Sequence, residues 1–249
     1  MNIEKIMNPP PIFSFNIFGF NIPITESIIM MWIVMLAIML FAYIFTRNLR
    51  KIPTGKQNIV ETMIEFINNL MKTNIGHHWR PFAPYFGTIF LFLIFSNTVS
   101  IFSILPTGEQ LFHITGMEFF EKIPEFSITP PTKDLNVTAT MAIMSLLLVL
   151  FCGIGYKGIR TWLKGFLKPS PIMLPFHIMD YGTRTLTLSL RLFGNIMAGF
   201  IIMELLYEGL VFVKPLIPVA SAFFDLFDAL LQAYIFIFLS SIYISEAIE

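Results

Sequence analysis

The stretch SIIMMWIVMLAIMLFAYIF, Ser27–Phe45, carries no Asp, Glu, Lys or Arg. A membrane helix needs about 20 consecutive apolar residues to cross roughly 30 Å of hydrocarbon, and this run meets that requirement. Two further runs of the same character, Phe82–Pro106 and Leu135–Tyr156, follow it. The residues ahead of it, 1–26, are polar and Pro-rich, with neither the apolar region nor the small-residue cleavage site of a secretory leader. The first run therefore reads as a retained membrane helix, with 1–26 outside.

Composition agrees. Of 249 residues, 55% are apolar or aromatic and 13% are charged, against roughly 25% charged in a soluble domain. Mean hydropathy is +0.74. These figures exclude an ordinary soluble enzyme, and the apolar content together with only 14 glycines excludes disorder and collagen. Sixteen cations balance sixteen anions, so bulk charge points to no nucleic-acid partner. The single cysteine, Cys152, allows no internal disulfide. No phosphate loop, nucleophile constellation or zinc-spaced Cys/His set occurs, so neither cofactor nor metal is expected; His77, His78, Trp79 and Arg80 read as an interfacial cluster.

The fold expected is an all-α membrane protein, one domain over residues 1–249. It has spans at 27–46, 82–106 and 135–157, an outside loop at 107–134 with a short helix around Met117–Lys122, and two long segments at 171–210 and 215–246. Between the first two spans, GKQNIVETMIEFINNLM (Gly55–Met71) places Ile59, Met63, Phe66, Ile67 and Leu70 at helical spacing. That pattern predicts an amphipathic surface helix over 56–74. The two long segments, divided by VKPLIP, exceed the hydrocarbon thickness; strong tilt in an antiparallel hairpin is favoured over a break near Gly194 or Gly199. Six Lys and Arg lie between Arg47 and Arg80, four between Lys157 and Lys168, and two in the loop 107–134. This asymmetry predicts the N-terminus outside and the C-terminus inside. No fixed-period or inverted repeat is visible, which disfavours a secondary transporter.

LTLSLRLFGNIMAGF (Leu186–Phe200) puts Arg191 at the middle of the fourth long run. A membrane-centred Arg costs about 2.5–3.5 kcal/mol on insertion scales and stays charged, so it requires a carboxylate or water. At 100° per residue, Arg184 and Asp180 fall within about 20° of Arg191, and His177 and Asn195 within about 40°. In the last segment, Asp225, Tyr243 and Ser221 fall within about 20° of Gln232, and Asp228 within about 40°. One stripe is polar toward the inside and the other toward the outside, a geometry suggesting two half-channels that do not meet. Plainer readings stand beside these. Asp180 and Arg184 form a potential i,i+4 pair, His177 an interfacial anchor, and Ser221, Thr187 and Asn195 local hydrogen-bonding groups.

At these residues the chain resembles subunit a of the rotary F-type ATP synthase, most like the bacterial form. SLRLFGNIMAG (Ser189–Gly199) is similar to that family's diagnostic segment, and Arg191 falls on its stator arginine. IPTGKQNIVETMIEFI (Ile52–Ile67), FAPYFGTIFLFLIFSN (Phe82–Asn97), PPTKDLNVTATMAI (Pro130–Ile143) and LQAYIFIFLSSIYIS (Leu231–Ser245) resemble further segments of the family in the expected order. The resemblance implies a static subunit beside a ring of c subunits, held by the b-subunit peripheral stalk in a bacterial plasma membrane, passing H⁺ or Na⁺. It implies Arg191 facing the ring, with Gln232 and Asn195 in support. Asp225, with Asp228 or Asn97, would serve the outer path, and His177 and Asp180 the inner one. Phe200, His177 and Thr185 depart from residues found in some relatives. A rival from another class is a membrane insertase, with one intramembrane Arg in a wet groove.

Overall fold

The computed structural model describes residues 13–17, 20–47, 49–50, 55–99, 130–166, 170–208, 220 and 222–248. Described helices dominate, as an all-α membrane protein requires, and one small feature departs from that reading. Phe13–Ile17 (β1) and Phe20–Ile24 (β2) pair antiparallel, with Phe13 opposite Ile24 and Ile17 opposite Phe20. Phe13, Phe15 and Ile17 alternate with Ser14 and Asn16, the two-residue period of a strand. Five residues are too short a run for that period to stand out among prolines.

Helix α1, Glu26–Thr46, has 21 residues and about 32 Å of length. Only Ser27, Met30 and Val34 are buried, an i, i+3, i+7 seam that meets the third helix. Trp32, Leu36, Met39, Leu40, Tyr43 and Ile44 are more than half exposed, the pattern of a helix whose solvent is lipid.

Helix α2, Lys56–Ile75, is the amphipathic one. It buries Ile67, Met71 and Ile75 against protein, and Gly76 at φ 69° ends it by donating its N–H to the Lys72 carbonyl. Helix α3, Ala83–Thr98, is apolar but only 16 residues long; residues 100–129, and with them the expected short helix at 117–122, lie outside the described set. Pro131–Lys133 forms a buried 3₁₀ turn packed on α1, α3 and two later helices. Asp134 then caps helix α4, Leu135–Lys157, by accepting from the Asn136 N–H at 2.9 Å.

Gly158 at φ 75° closes α4 and turns the chain into a short helix absent from the sequence reading, α5, Ile159–Phe166. Its Trp162 indole lies over Gly153, where an added Cβ would come within 2.7 Å of Nε1. Helix α6, Leu174–Glu208, runs 35 residues without interruption at Gly194 or Gly199, about 52 Å. A π-helical segment, Ala222–Asp228, leads into helix α7, Ala229–Ile248.

Helix α7 is the keel. It buries Ala229, Gln232, Ala233, Phe236, Ile237, Ser240, Ser241, Ile244 and Ala247, packed by α2, α3 and α4. Helix α6 lies mainly along α4, whose Met141, Ala142, Ser145, Val149 and Cys152 face inward. Among the described residues, α1, α4 and Leu226–Ile248 are long and apolar enough to cross a membrane.

Candidate functional site

The buried seam of α6 runs through Leu188, Leu192 and Gly199. Arg191 sits roughly 80° round the helix from that seam, on the flank where protein gives way to an open side. On the open side, Leu186 and Leu190 are 61% and 56% exposed. Arg191 is half-buried and makes no hydrogen bond or ion pair among the described residues. One turn on, Asn195 donates from Nδ2 to Gln232 Oε1 at 2.9 Å, and Gln232 is 2% exposed. One further turn on, Gly199 abuts Phe224, with its missing Cβ position 3.4 Å from the Phe224 Cβ. The structure thus brings Asn195 and Gln232 together beside Arg191, and a small residue at 199 leaves room for Phe224.

The second guanidinium of α6 is placed very differently. Arg184 holds Asp180 of its own helix at 2.8 Å and also pairs with Glu246 of α7. Its charged end lies 4.7 Å from the centre of the Tyr243 ring. The i,i+4 pair is therefore real, and the Asp180 carboxylate is already engaged. Glu246 escaped the sequence reading; its one signal was a carboxylate in the last turn of an apolar helix, three residues beyond Tyr243. His177, two turns before Arg184, is half-buried.

At the opposite end, Asn97 is buried and accepts from the Thr132 hydroxyl at 2.5 Å, tying α3 to the 3₁₀ turn. Asp228 is half-buried in the π-helical segment, which packs on α3 and α6. Asp225 belongs to that same segment. The α-helical projection that aligned it with Gln232 does not carry through i→i+5 geometry, and its side chain, like those of Ser221 and Glu204, lies outside the described residues.

Buried polar pairs that the sequence did not single out fasten α7 to its neighbours. Ser145 of α4 donates to Ser240 at 2.9 Å, and Asn74 of α2 donates to Ser241 at 2.7 Å. Between α4, α6 and α7 a crevice of about 20 Å³ is edged by Ser145, Tyr181, Arg184, Thr185 and Tyr243, enough for about one water. His78 sets its ring edge-on to Tyr156, with centroids 4.9 Å apart, while His77 and Arg80 are exposed. The family described as ATP synthase A chain matches over residues 28–245, and the chain belongs to that family. It is a multi-pass, non-catalytic subunit of the ATP synthase membrane sector.

Proposed function

We propose that this member of the family is the static half of the ion pathway, with Arg191 as the fixed charge that couples ion flow to rotation of a c-subunit ring. One observation carries the reading. Of two guanidiniums on one helix, Arg184 is paired by two carboxylates and a ring, whereas Arg191 has no counter-ion among the described residues and flanks an uncovered apolar face. A half-buried guanidinium is unfavourable in a membrane without an acidic partner or water. On this reading the acidic partner is a carboxylate of the c-subunit ring.

The chemistry follows from charge. A carboxylate about 4 Å from a guanidinium gains roughly 4 kcal/mol at an effective dielectric constant near 20. That corresponds to about three pKa units, enough to make a protonated ring carboxylate release its ion as it reaches Arg191. Ions would arrive through an outer half-channel near Asp225, Asp228 and Asn97 and leave through an inner one near His177 and Asp180. Arg191 stands between them and repels any cation taking a direct route. Asn195 and Gln232 hold the wall beside it. The b-subunit stalk would keep the chain from turning with the ring, and H⁺ or Na⁺ would be the ion. The proposed topology, in a bacterial plasma membrane, has the N-terminus outside and the C-terminus in the cytoplasm. Family membership supports this reading over the insertase.

In the assembled complex, Arg191→Ala is expected to abolish ion-driven ATP synthesis while hydrolysis by the detached head continues. Coupled synthesis retained by that variant would refute the role.

A further inference from the structure

We infer that Arg184 is a positioning residue of the ion pathway: by gripping Asp180, Tyr243 and Glu246 it clasps the near ends of α6 and α7 and fixes the register in which Asn195 meets Gln232 beside Arg191. The inference rests on the reading of Arg191 above.

Among the described residues, α6 touches the π-helical segment where Gly199 meets Phe224, and α7 where Asn195 meets Gln232 and where Arg184 meets Tyr243 and Glu246. As residue numbers fall along α6 they rise along α7, so the helices run antiparallel. Most of the α6 seam is given to α4, and the crevice bordered by Tyr181, Arg184, Thr185 and Tyr243 interrupts packing between α6 and α7 near the clasp.

Geometry makes the clasp a lever. Arg184 lies about 22 Å along α6 from the Gly199 contact, and Asn195 about 6 Å from it. The Asn195–Gln232 bond of 2.9 Å has roughly 0.6 Å to spare before it ceases to be a hydrogen bond. Pivoting about Gly199, an opening of about 2 Å at the clasp is enough to break it. An isolated exposed ion pair would resist such opening weakly. Arg184 differs because its side chain is only 28% exposed and it binds groups on both helices at once. A planar guanidinium can serve two carboxylates while lying against a ring; an ammonium cannot reproduce that.

The test uses the whole complex reconstituted in vesicles, with the amount of this chain per complex measured alongside. Arg184→Gln is expected to assemble at normal yield, lower the maximal rate of ion-driven ATP synthesis about tenfold, and leave KM for ADP unchanged. Arg184→Lys should fall between it and the native chain. The exchanged pair Arg184→Glu with Glu246→Arg keeps one cation between two carboxylates and should recover at least half the rate. Native synthesis rates in Arg184→Gln, or a loss that the exchange does not repair, would overturn the inference. If Arg184→Gln fails to assemble, Glu246→Gln decides: a two- to threefold loss supports the clasp and an unchanged rate refutes it. Arg191→Ala in the same preparation separates the two claims, since retained synthesis there sinks the function while the Arg184 variants address only the clasp.

Discussion

Enlarging Gly199 in steps is expected to damage ion coupling abruptly, between alanine and valine. The built Cβ at this position meets the Phe224 Cβ and Cδ1 at 3.4 Å and Cγ at 3.5 Å. That is ordinary contact, so Gly199→Ala fits without moving either helix, and alanine is the better helix former by about 1 kcal/mol. A γ-carbon reaches roughly 1.5 Å further and overlaps the ring, so Gly199→Val or Gly199→Leu must part α6 from the π-helical segment by about that much. Overpacking of this kind costs typically 1–3 kcal/mol. The neighbouring Asn195–Gln232 bond, at 2.9 Å, cannot stretch so far and remain a bond. Displacement of a positioned group by about 1 Å can cost about 10²-fold in rate. The assay is ATP-driven ion pumping into vesicles, normalised to assembled complex. Alanine should retain at least about half of native pumping, and valine and leucine less than about a tenth. Two results refute the reasoning: normal pumping with leucine, or an alanine variant as poor as the leucine one, which would mean the glycine supplies something other than space.

Asp134→Ala removes the cap that accepts from the Asn136 N–H at 2.9 Å, and should lower stability by about 0.5–2 kcal/mol. Thermal dissociation of the complex should shift downward, with Asp134→Asn close to native. Gly153→Ala brings a methyl within 2.7 Å of the Trp162 Nε1, so the indole must leave its seat on α4. A changed Trp162 emission spectrum, read against Trp162→Phe as background, checks this; an unchanged spectrum would mean that α4 and α5 yield together.

Much of the architecture was legible because lipid makes length and charge decisive. The run from 135 to 157 announces a helix, and α4 is Leu135–Lys157. The helical spacing announces α2, but of Ile59, Met63, Phe66, Ile67 and Leu70 only Ile67 is buried; Met71 and Ile75 complete the buried face, and Ile59 is 68% exposed. Arg191 stands out in the sequence by cost alone, since a charge expected at mid-span requires a carboxylate or water. The illegible parts depend on contacts between distant elements. Nothing in the local sequence of Glu246 says that it will find Arg184, 62 residues away. Ser145 and Ser240, 95 residues apart, read as ordinary small residues until two helices meet. The π-helical turn at Ala222–Asp228 escaped for a related reason: a regular 100° step was assumed through residues whose backbone takes a wider turn.

On the proposed reading, α6 must stay still while a ring moves against its open face, and its polar ties explain how it can. Apolar packing alone is a poor anchor within a membrane, because lipid tails compete for the same surface. Polar pairs shielded at least in part have no such competitor, since separating them leaves donors and acceptors facing hydrocarbon. Helix α7 uses one with each of three neighbours: Ser240 with α4, Ser241 with α2 and Gln232 with α6. The load on α6 passes through Asn195 to Gln232 and, by way of Arg184, to Glu246, both on the most deeply packed helix of the described chain. This arrangement also explains why Arg191 can go without a partner among the described residues. A counter-ion of its own would steady the guanidinium but cancel the charge it offers, whereas neighbouring ties hold the backbone that carries it and leave the charge available.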